Sequence, residues 1–221
     1  MTVKIGLLLF PNVQLLDFVG PFEIFKATRD TETFLIGEDK EAIAASCGLP
    51  LQPTVSFDDC PQLDVICVPG GGGVNPLLRD EATLSFIRRQ AEGARYVTSV
   101  CTGSLLLGAA GLLKDKKATS HWSAVDYLEK FGATYTPGRV VRDGNLITAG
   151  GITSGIDFGL VMIAELFGQE EAEAVQLMME YAPQPPFNSG TPEDAPAAVR
   201  ALIEQRIAGS RKIREQIFAE M

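Results

Sequence analysis

Three short, mostly apolar runs constrain this chain more than any other feature: Val3–Phe10, Leu63–Val68 and Tyr96–Val100. Each has the length of one strand, each is closed by turn or glycine residues, and each is followed by a segment with helical spacing. A strand covered on both faces reads as a continuous apolar run, whereas a half-exposed strand alternates. The helical segments between the runs are Gly20 to Thr28, Ala82 to Ala94 and Gly103 to Leu113, followed by His121 to Phe131, Ser154 to Phe167 and Glu170 to Tyr181. Alternation of this kind predicts an α/β fold, a mostly parallel sheet sandwiched by helices. Ala42–Ser46 with Leu49–Thr54, and Arg139–Arg142 with Asn145–Thr148 around Asp143-Gly144, read as hairpins. Residues 183–196 hold five prolines and form an arm, after which Val199, Leu202, Ile203, Ile207, Ile213 and Ile217 recur as the stripe of one amphipathic helix. One domain over 1–221, with 183–221 as its arm and terminal helix, accounts for the whole chain.

The charge of −9 narrows the partners. An acidic surface repels phosphate backbones and anionic headgroups, so neither nucleic acid nor a membrane is an expected partner. The opening apolar run stops at Pro11-Asn12, too early for a signal peptide, and Asp157 and Glu165 interrupt the longest later one. The four cysteines, Cys47, Cys60, Cys67 and Cys101, form no C-x-x-C pair, and reduced thiols in a cytoplasmic protein are the expectation. A single histidine, His121, leaves little to build a metal site from.

In an open parallel sheet, sites form beyond the carboxyl ends of the strands. Leu15–Gly20, Pro69–Gly73, Cys101–Gly103 and Gly150–Thr153 all fall there. Cys101 ends a buried strand and opens a glycine-containing helix start, the geometry that projects a nucleophile from a sharp elbow. A helix N-terminus aimed at the sulfur favours thiolate. The plain alternative is a small buried apolar residue. Cys67 lies in a core strand, and Cys47 and Cys60 in a turn and a loop. Asp17 stands among apolar residues just after the first strand: it either begins a helix or serves as a carboxyl group with a raised pKa beside the thiol. Glu23 lies inside that helix, as a surface or dimer-contact residue. Gly70–Gly73 lacks the phosphate-loop pattern but offers backbone N–H groups as an anion cradle. His121 is either a partner for the thiol or a helix-start residue packing on Trp122.

Across these segments the chain resembles the DJ-1/PfpI superfamily. The resemblance rests on Ile5–Pro11, Leu16-Asp17-Phe18-Val19-Gly20-Pro21-Phe22-Glu23, Asp64–Gly71, Val100-Cys101-Thr102-Gly103, Ala110-Gly111-Leu112-Leu113 and Thr119-Ser120-His121-Trp122. Within the superfamily it is similar to the members that hydrate isocyanides (isonitriles), through Arg95–Ser104, Val140–Leu146, Gly150-Gly151-Ile152-Thr153, Glu180–Pro183 and Pro185-Pro186-Phe187-Asn188. Protease-like and deglycase-like members usually carry His after the cysteine, where this chain has Thr102, and many carry Glu where it has Asp17.

The resemblance implies a flavodoxin-like fold and hydration of an isocyanide to an N-substituted formamide through a covalent thioimidate on Cys101. Asp17 would carry the proton and Thr102 would support it. Gly71, Gly72, Thr102, Gly150 and Ile152 would line the substrate and oxyanion side. No metal and no cofactor are implied, and a homodimer is. The alternatives are a glyoxalase or deglycase-type enzyme, and a non-enzymatic ligand-sensing domain related to AraC-type regulators.

Overall fold

The structure, a computed structural model, describes residues 2–220. The first apolar run forms β1 (Val3–Leu8), with Ile5, Leu7 and Leu8 buried. Helix α1 (Leu15–Lys26) follows and leads to β2 (Thr31–Gly37). Two short strands, β3 (Ile43–Ala44) and β4 (Pro50–Leu51), pair antiparallel where the first hairpin is expected. Then come β5 (Val55–Ser56), β6 (Val65–Val68), the single turn α2 (Val74–Leu77), α3 (Glu81–Gly93) and β7 (Tyr96–Val100). A 3-10 turn, Cys101–Gly103, runs directly into α4 (Ser104–Ala109). Two-residue strands β8 (Lys117–Ala118) and β9 (Thr134–Tyr135) pair with each other, and β10 (Val140–Asp143) with β11 (Leu146–Ala149) makes the second hairpin. Gly144 turns that hairpin at φ 63°. Helices α5 (Ser154–Phe167), α6 (Gln169–Met178) and α7 (Ala197–Ala219) complete the chain.

Seven strands form one sheet in the order β10-β11-β7-β6-β1-β2-β5, parallel except for the β10–β11 edge pair. The chain leaves β1 in one direction for β2 and in the other for β6 and β7. The crevice beside β1 is therefore the topological switch point, where ligands bind in such sheets. The loops after β1, β6 and β7 meet there. The residues divide into two compact units, the first ending at Met179 and the second beginning at Glu180 with the proline arm and α7. No helix among the described residues is long and apolar enough to cross a membrane.

Three helix boundaries differ from the sequence expectation, each for a physical reason. Helix α1 begins at Leu15, not Gly20, because its first turns are apolar on most sides and show no period. Pro21 lies inside it and cannot donate to the Asp17 carbonyl one turn back. Helix α4 stops at Ala109, with Gly111 at φ 82° shortly after. Residues 121–131 form two 3-10 turns, Trp122–Tyr127 and Glu129–Phe131, where an α-helix is expected; a spacing of three suits either geometry.

Glycines set the layer spacing around the site. A Cβ on Gly159 would stand 2.9 Å from Ile24 Cβ, and one on Gly155 would stand 3.1 Å from Pro21 Cδ, so α1 and α5 cross closely. Gly108 lies so close to the Phe131 ring that no side chain fits between them.

Candidate active site

Cys101 occupies the elbow between β7 and α4 at φ 58°, a left-handed conformation that costs a residue with a Cβ about 1–2 kcal/mol. The surroundings fix it there. Its N–H donates to the Gly150 carbonyl at 2.8 Å, and its carbonyl accepts from Ser120 Oγ at 3.1 Å and Ser104 Oγ at 3.3 Å. Gly103 is obligatory two residues on, since any Cβ would overlap the Val68 carbonyl oxygen. The side chain is 5% exposed.

Asp17 belongs to the first turn of α1 and is fully buried. One carboxyl oxygen, Oδ2, accepts the Gly70 N–H at 2.9 Å; the other, Oδ1, is buried without a hydrogen-bond partner. Burial lifts the Asp17 pKa to about 7 against the opposing hydrogen bonds from Gly70 and the Cys101 thiol. An unpartnered buried carboxyl oxygen is costly unless a proton or a reacting group shares it.

The Cys101 thiol is pushed well above its ordinary value, first by burial and then by the negative charge of Asp17. This corrects the sequence expectation of a resting thiolate. The following helix begins as a 3-10 turn, and the N–H groups of Thr102 and Ile152 that hydrogen-bond the sulfur do not outweigh burial and Asp17. Once Asp17 takes the proton, its charge vanishes and the two N–H donors remain. The two side chains titrate as one coupled unit, an arrangement able to pass a proton between them.

Thr102 closes the circuit: its Oγ1 accepts the Gly71 N–H at 3.1 Å. Gly71, at φ 131°, forms an isolated bridge with Val13, and a Cβ there would stand 2.5 Å from the Asn12 carbonyl oxygen. The Gly70 carbonyl accepts the Gln14 N–H at 2.8 Å, so the loop after β6 clasps the loop that leads into the Asp17 helix.

Of the seven residues singled out for the site, five converge here directly: Cys101, Asp17, Thr102, Gly150 through its carbonyl, and Ile152 through its N–H. So does Gly71, whose N–H is engaged by Thr102. Gly72 lies apart, with only Asn12 Cβ, at 4.0 Å, near its missing side chain. His121 caps the first 3-10 turn, its Nδ1 accepting the Ser123 N–H at 3.3 Å, and its ring packs 5.5 Å from that of Trp122. Sequence reasoning named Gly70 only as one of the Gly70–Gly73 cradle and not as the partner of Asp17. A Cβ there would come within 2.6 Å of Thr102 N and Oγ1 and 2.9 Å of Asp17 Oδ2. Its signal was present as the first glycine of the cluster, but only the fold shows what it touches. Ser104 and Ser120 were missed as well.

Cys67 is fully buried in β6 and its pKa is pushed up to about 12, while Cys60 rises to about 11; burial is the first cause in both. Neither is activated. Among the described residues no group of three or more His, Cys, Asp and Glu side chains is placed to hold a metal ion.

The DJ-1/PfpI family profile matches residues 3–165. An isonitrile hydratase from Pseudomonas putida is 56% identical over 217 residues, covering 98% of this chain and 95% of that protein. The crystal structure of a ThiJ/PfpI family protein from Pseudomonas syringae superposes with a TM-score of 0.94 at 44% identity, over 97% of this chain and 90% of that one. The transcriptional regulator GbdR from Pseudomonas aeruginosa is 30% identical over 80% of this chain, which spans only 50% of that protein's length. The elbow cysteine, the clasped loops after β1 and β6 and these matches agree: the chain belongs to the DJ-1/PfpI family.

Proposed function

We propose that the protein hydrates isonitriles to N-substituted formamides, with Cys101 as nucleophile and Asp17 as the group that carries every proton. The observation that carries this reading is the Asp17–Cys101 pair: a buried carboxyl group with a pKa of about 7, hydrogen-bonded to a nucleophile. The near full-length similarity to an isonitrile hydratase supports the substrate class.

The reaction R–N≡C + H2O → R–NH–CHO needs a nucleophile for the terminal carbon, a proton for the same carbon, and water. Proton transfer from Cys101 to Asp17 yields thiolate and carboxylic acid. The thiolate attacks the terminal carbon, the sulfur–carbon bond forms, and Asp17 delivers its proton to that carbon, leaving the thioimidate R–N=CH–S–Cys101 and an Asp17 carboxylate. The carboxylate then takes a proton from water as the hydroxyl adds to the carbon, and passes it to nitrogen. Collapse of R–NH–CH(OH)–S–Cys101 breaks the sulfur–carbon bond and returns the hydroxyl proton to Asp17. The formamide leaves and the pair is restored. The Thr102 and Ile152 N–H groups stabilise the sulfur's charge at both ends of the cycle, and Gly70 holds Asp17 in place. Gly150 supports the elbow through its carbonyl.

A neutral, apolar substrate suits this crevice. A charged clamp would only raise the cost of binding it. In this reading the protein works as a cytoplasmic homodimer. A thiol that must stay reduced fits that compartment, and exposed Leu177 and Met178 at the end of α6 offer apolar surface to a second copy. Light scattering at micromolar concentration should give the mass of two chains.

The regulator match favours a second reading, ligand sensing without turnover. One experiment separates the two: formamide production from an aryl isonitrile by the purified protein, with Cys101→Ala alongside. Turnover lost in the variant establishes hydration; saturable binding with no formamide from either protein establishes sensing.

A further inference from the structure

Cys101 is held at its left-handed φ by hydrogen bonds at both ends, and the bond from Ser120 has no local explanation. Ser104 donates to a carbonyl three residues earlier, an ordinary back-bond at a helix start. Ser120 is nineteen positions on, in the segment after β8, and is 3% exposed. That segment is stitched to the β10–β11 hairpin: the Lys117 N–H donates to Asp143 Oδ2 and the Thr119 N–H to Thr148 Oγ1, both at 2.8 Å. The hydroxyl that reaches Cys101 is thus carried by a braced backbone.

The carbonyl that Ser120 holds belongs to the same peptide unit as the Thr102 N–H. A peptide unit is planar and trans, so its C=O and N–H point in opposite directions and turn together. Fixing the Cys101 carbonyl therefore fixes the direction of the N–H that hydrogen-bonds the Cys101 sulfur. Hydrogen bonds received at the carbonyl also polarise the unit and strengthen its N–H as a donor, by about 10–30% per bond. Holding that N–H at the sulfur is what a developing thiolate needs.

We propose that Ser120 is a positioning residue: through the carbonyl of Cys101 it locks the 101–102 peptide so that the Thr102 N–H faces the nucleophilic sulfur. The inference rests on Cys101 being the nucleophile of the proposed hydration, but its central test needs no isonitrile.

The test is the rate of Cys101 alkylation by iodoacetamide against pH, read site by site by peptide mass spectrometry because Cys47 is exposed and reacts on its own account. Cys47 serves as the internal standard. Ser120→Ala should fold, since Ser104 still donates to the same carbonyl and no buried acceptor is orphaned. Its Cys101 alkylation midpoint should move up by about half a pH unit or more, a roughly threefold or greater loss of rate below the midpoint. Ser120→Thr, which keeps the hydroxyl, should stay near the wild-type profile. In the hydration assay Ser120→Ala should lower kcat with KM little changed. An unmoved alkylation profile in Ser120→Ala overturns the proposal, whatever the turnover result. Should Ser120→Ala not fold, Ser120→Thr keeps the hydroxyl donor, and a shifted alkylation midpoint in that variant overturns the proposal. A wild-type protein that alkylates as described yet makes no formamide removes the hydration reading and leaves the role of Ser120 standing.

Discussion

Asp17, in the first turn of the helix after β1, and Cys101, in the 3-10 turn after β7, hydrogen-bond to each other in a crevice where both are buried. The charge of Asp17 raises the cost of charge on Cys101, while the Cys101 thiol's hydrogen bond offsets part of the burial that lifts Asp17. The pair is stable with one or two protons and strongly opposed to having none, which makes it an internal proton store beside the sulfur that must become charged.

The rate should follow that store. With two protons on the pair, the thiol has no base to receive its proton. The kcat/KM for an aryl isonitrile should therefore rise with pH through an apparent pKa near 7, the value to which burial lifts Asp17, and stay high until the second proton leaves well above the ordinary thiol range. The apparent value belongs to the pair. A rate that falls as pH passes 7 would exclude this proton path.

Removal of the sulfur is the sharpest intervention. Cys101→Ala should lower turnover by about a thousandfold or more, because the covalent route runs through the sulfur. Circular dichroism should be unchanged, since alanine has a Cβ like cysteine and carries the same left-handed strain. Mass spectrometry of wild-type protein quenched during turnover should show one isonitrile's mass on the peptide that contains Cys101, and none on the variant.

Much of this was legible in the sequence, and the limits have physical causes. The apolar runs gave the sheet because a buried parallel strand has one signature. Cys101 was legible because a strand running straight into a small-residue helix must turn at one residue, and Asp17 because a carboxyl group among apolar neighbours calls for a reason. The ionisation of Cys101 was not legible: it depends on burial and on the distance to Asp17, and neither is written in the residues around the thiol. The contacts of Gly70 and Ser120 escaped for a related cause. Each acts through backbone from a segment distant in sequence, and no local pattern marks such a contact. The start of α1 was missed because a helix that is apolar on most sides shows no period.

Asp17→Asn tests the carboxyl group in two ways. An amide cannot pass the proton, so turnover should fall by about 10²–10⁴-fold. Stability should move the other way. The native carboxyl holds its proton up to about pH 7, whereas the unfolded one releases it near 3.8. Between those values the native state binds more protons, so wild-type stability is fullest below the unfolded pKa and declines as pH rises to about 7, by up to about 4 kcal/mol. Asparagine accepts the Gly70 N–H without that decline. Urea unfolding at pH 5 and pH 8 should show Asp17→Asn gaining relative to wild type at the higher pH; equal differences at both would mean that Asp17 is ionised in the native state throughout.

Gly70 and Gly72 stand two residues apart in one glycine run and should respond oppositely to the same substitution. In Gly70→Ala the new methyl would stand within 2.6 Å of Thr102 N and Oγ1 and 2.9 Å of Asp17 Oδ2, all closer than real Cβ contacts allow. Thr102 and Asp17 are held by backbone donors and cannot yield without moving the elbow. Activity should drop by about a hundredfold or more, in line with an ångström-scale misplacement of reacting groups, and the protein should lose about 1–3 kcal/mol from the overpacked crevice. In Gly72→Ala the methyl has only Asn12 Cβ near it, at 4.0 Å, and the backbone φ is not left-handed. That variant should keep wild-type turnover and change stability by no more than about 0.5 kcal/mol. Equal loss in both variants would mean that the run acts through its flexibility as a whole; loss confined to Gly70→Ala would assign the effect to the close approach of Gly70, Thr102 and Asp17.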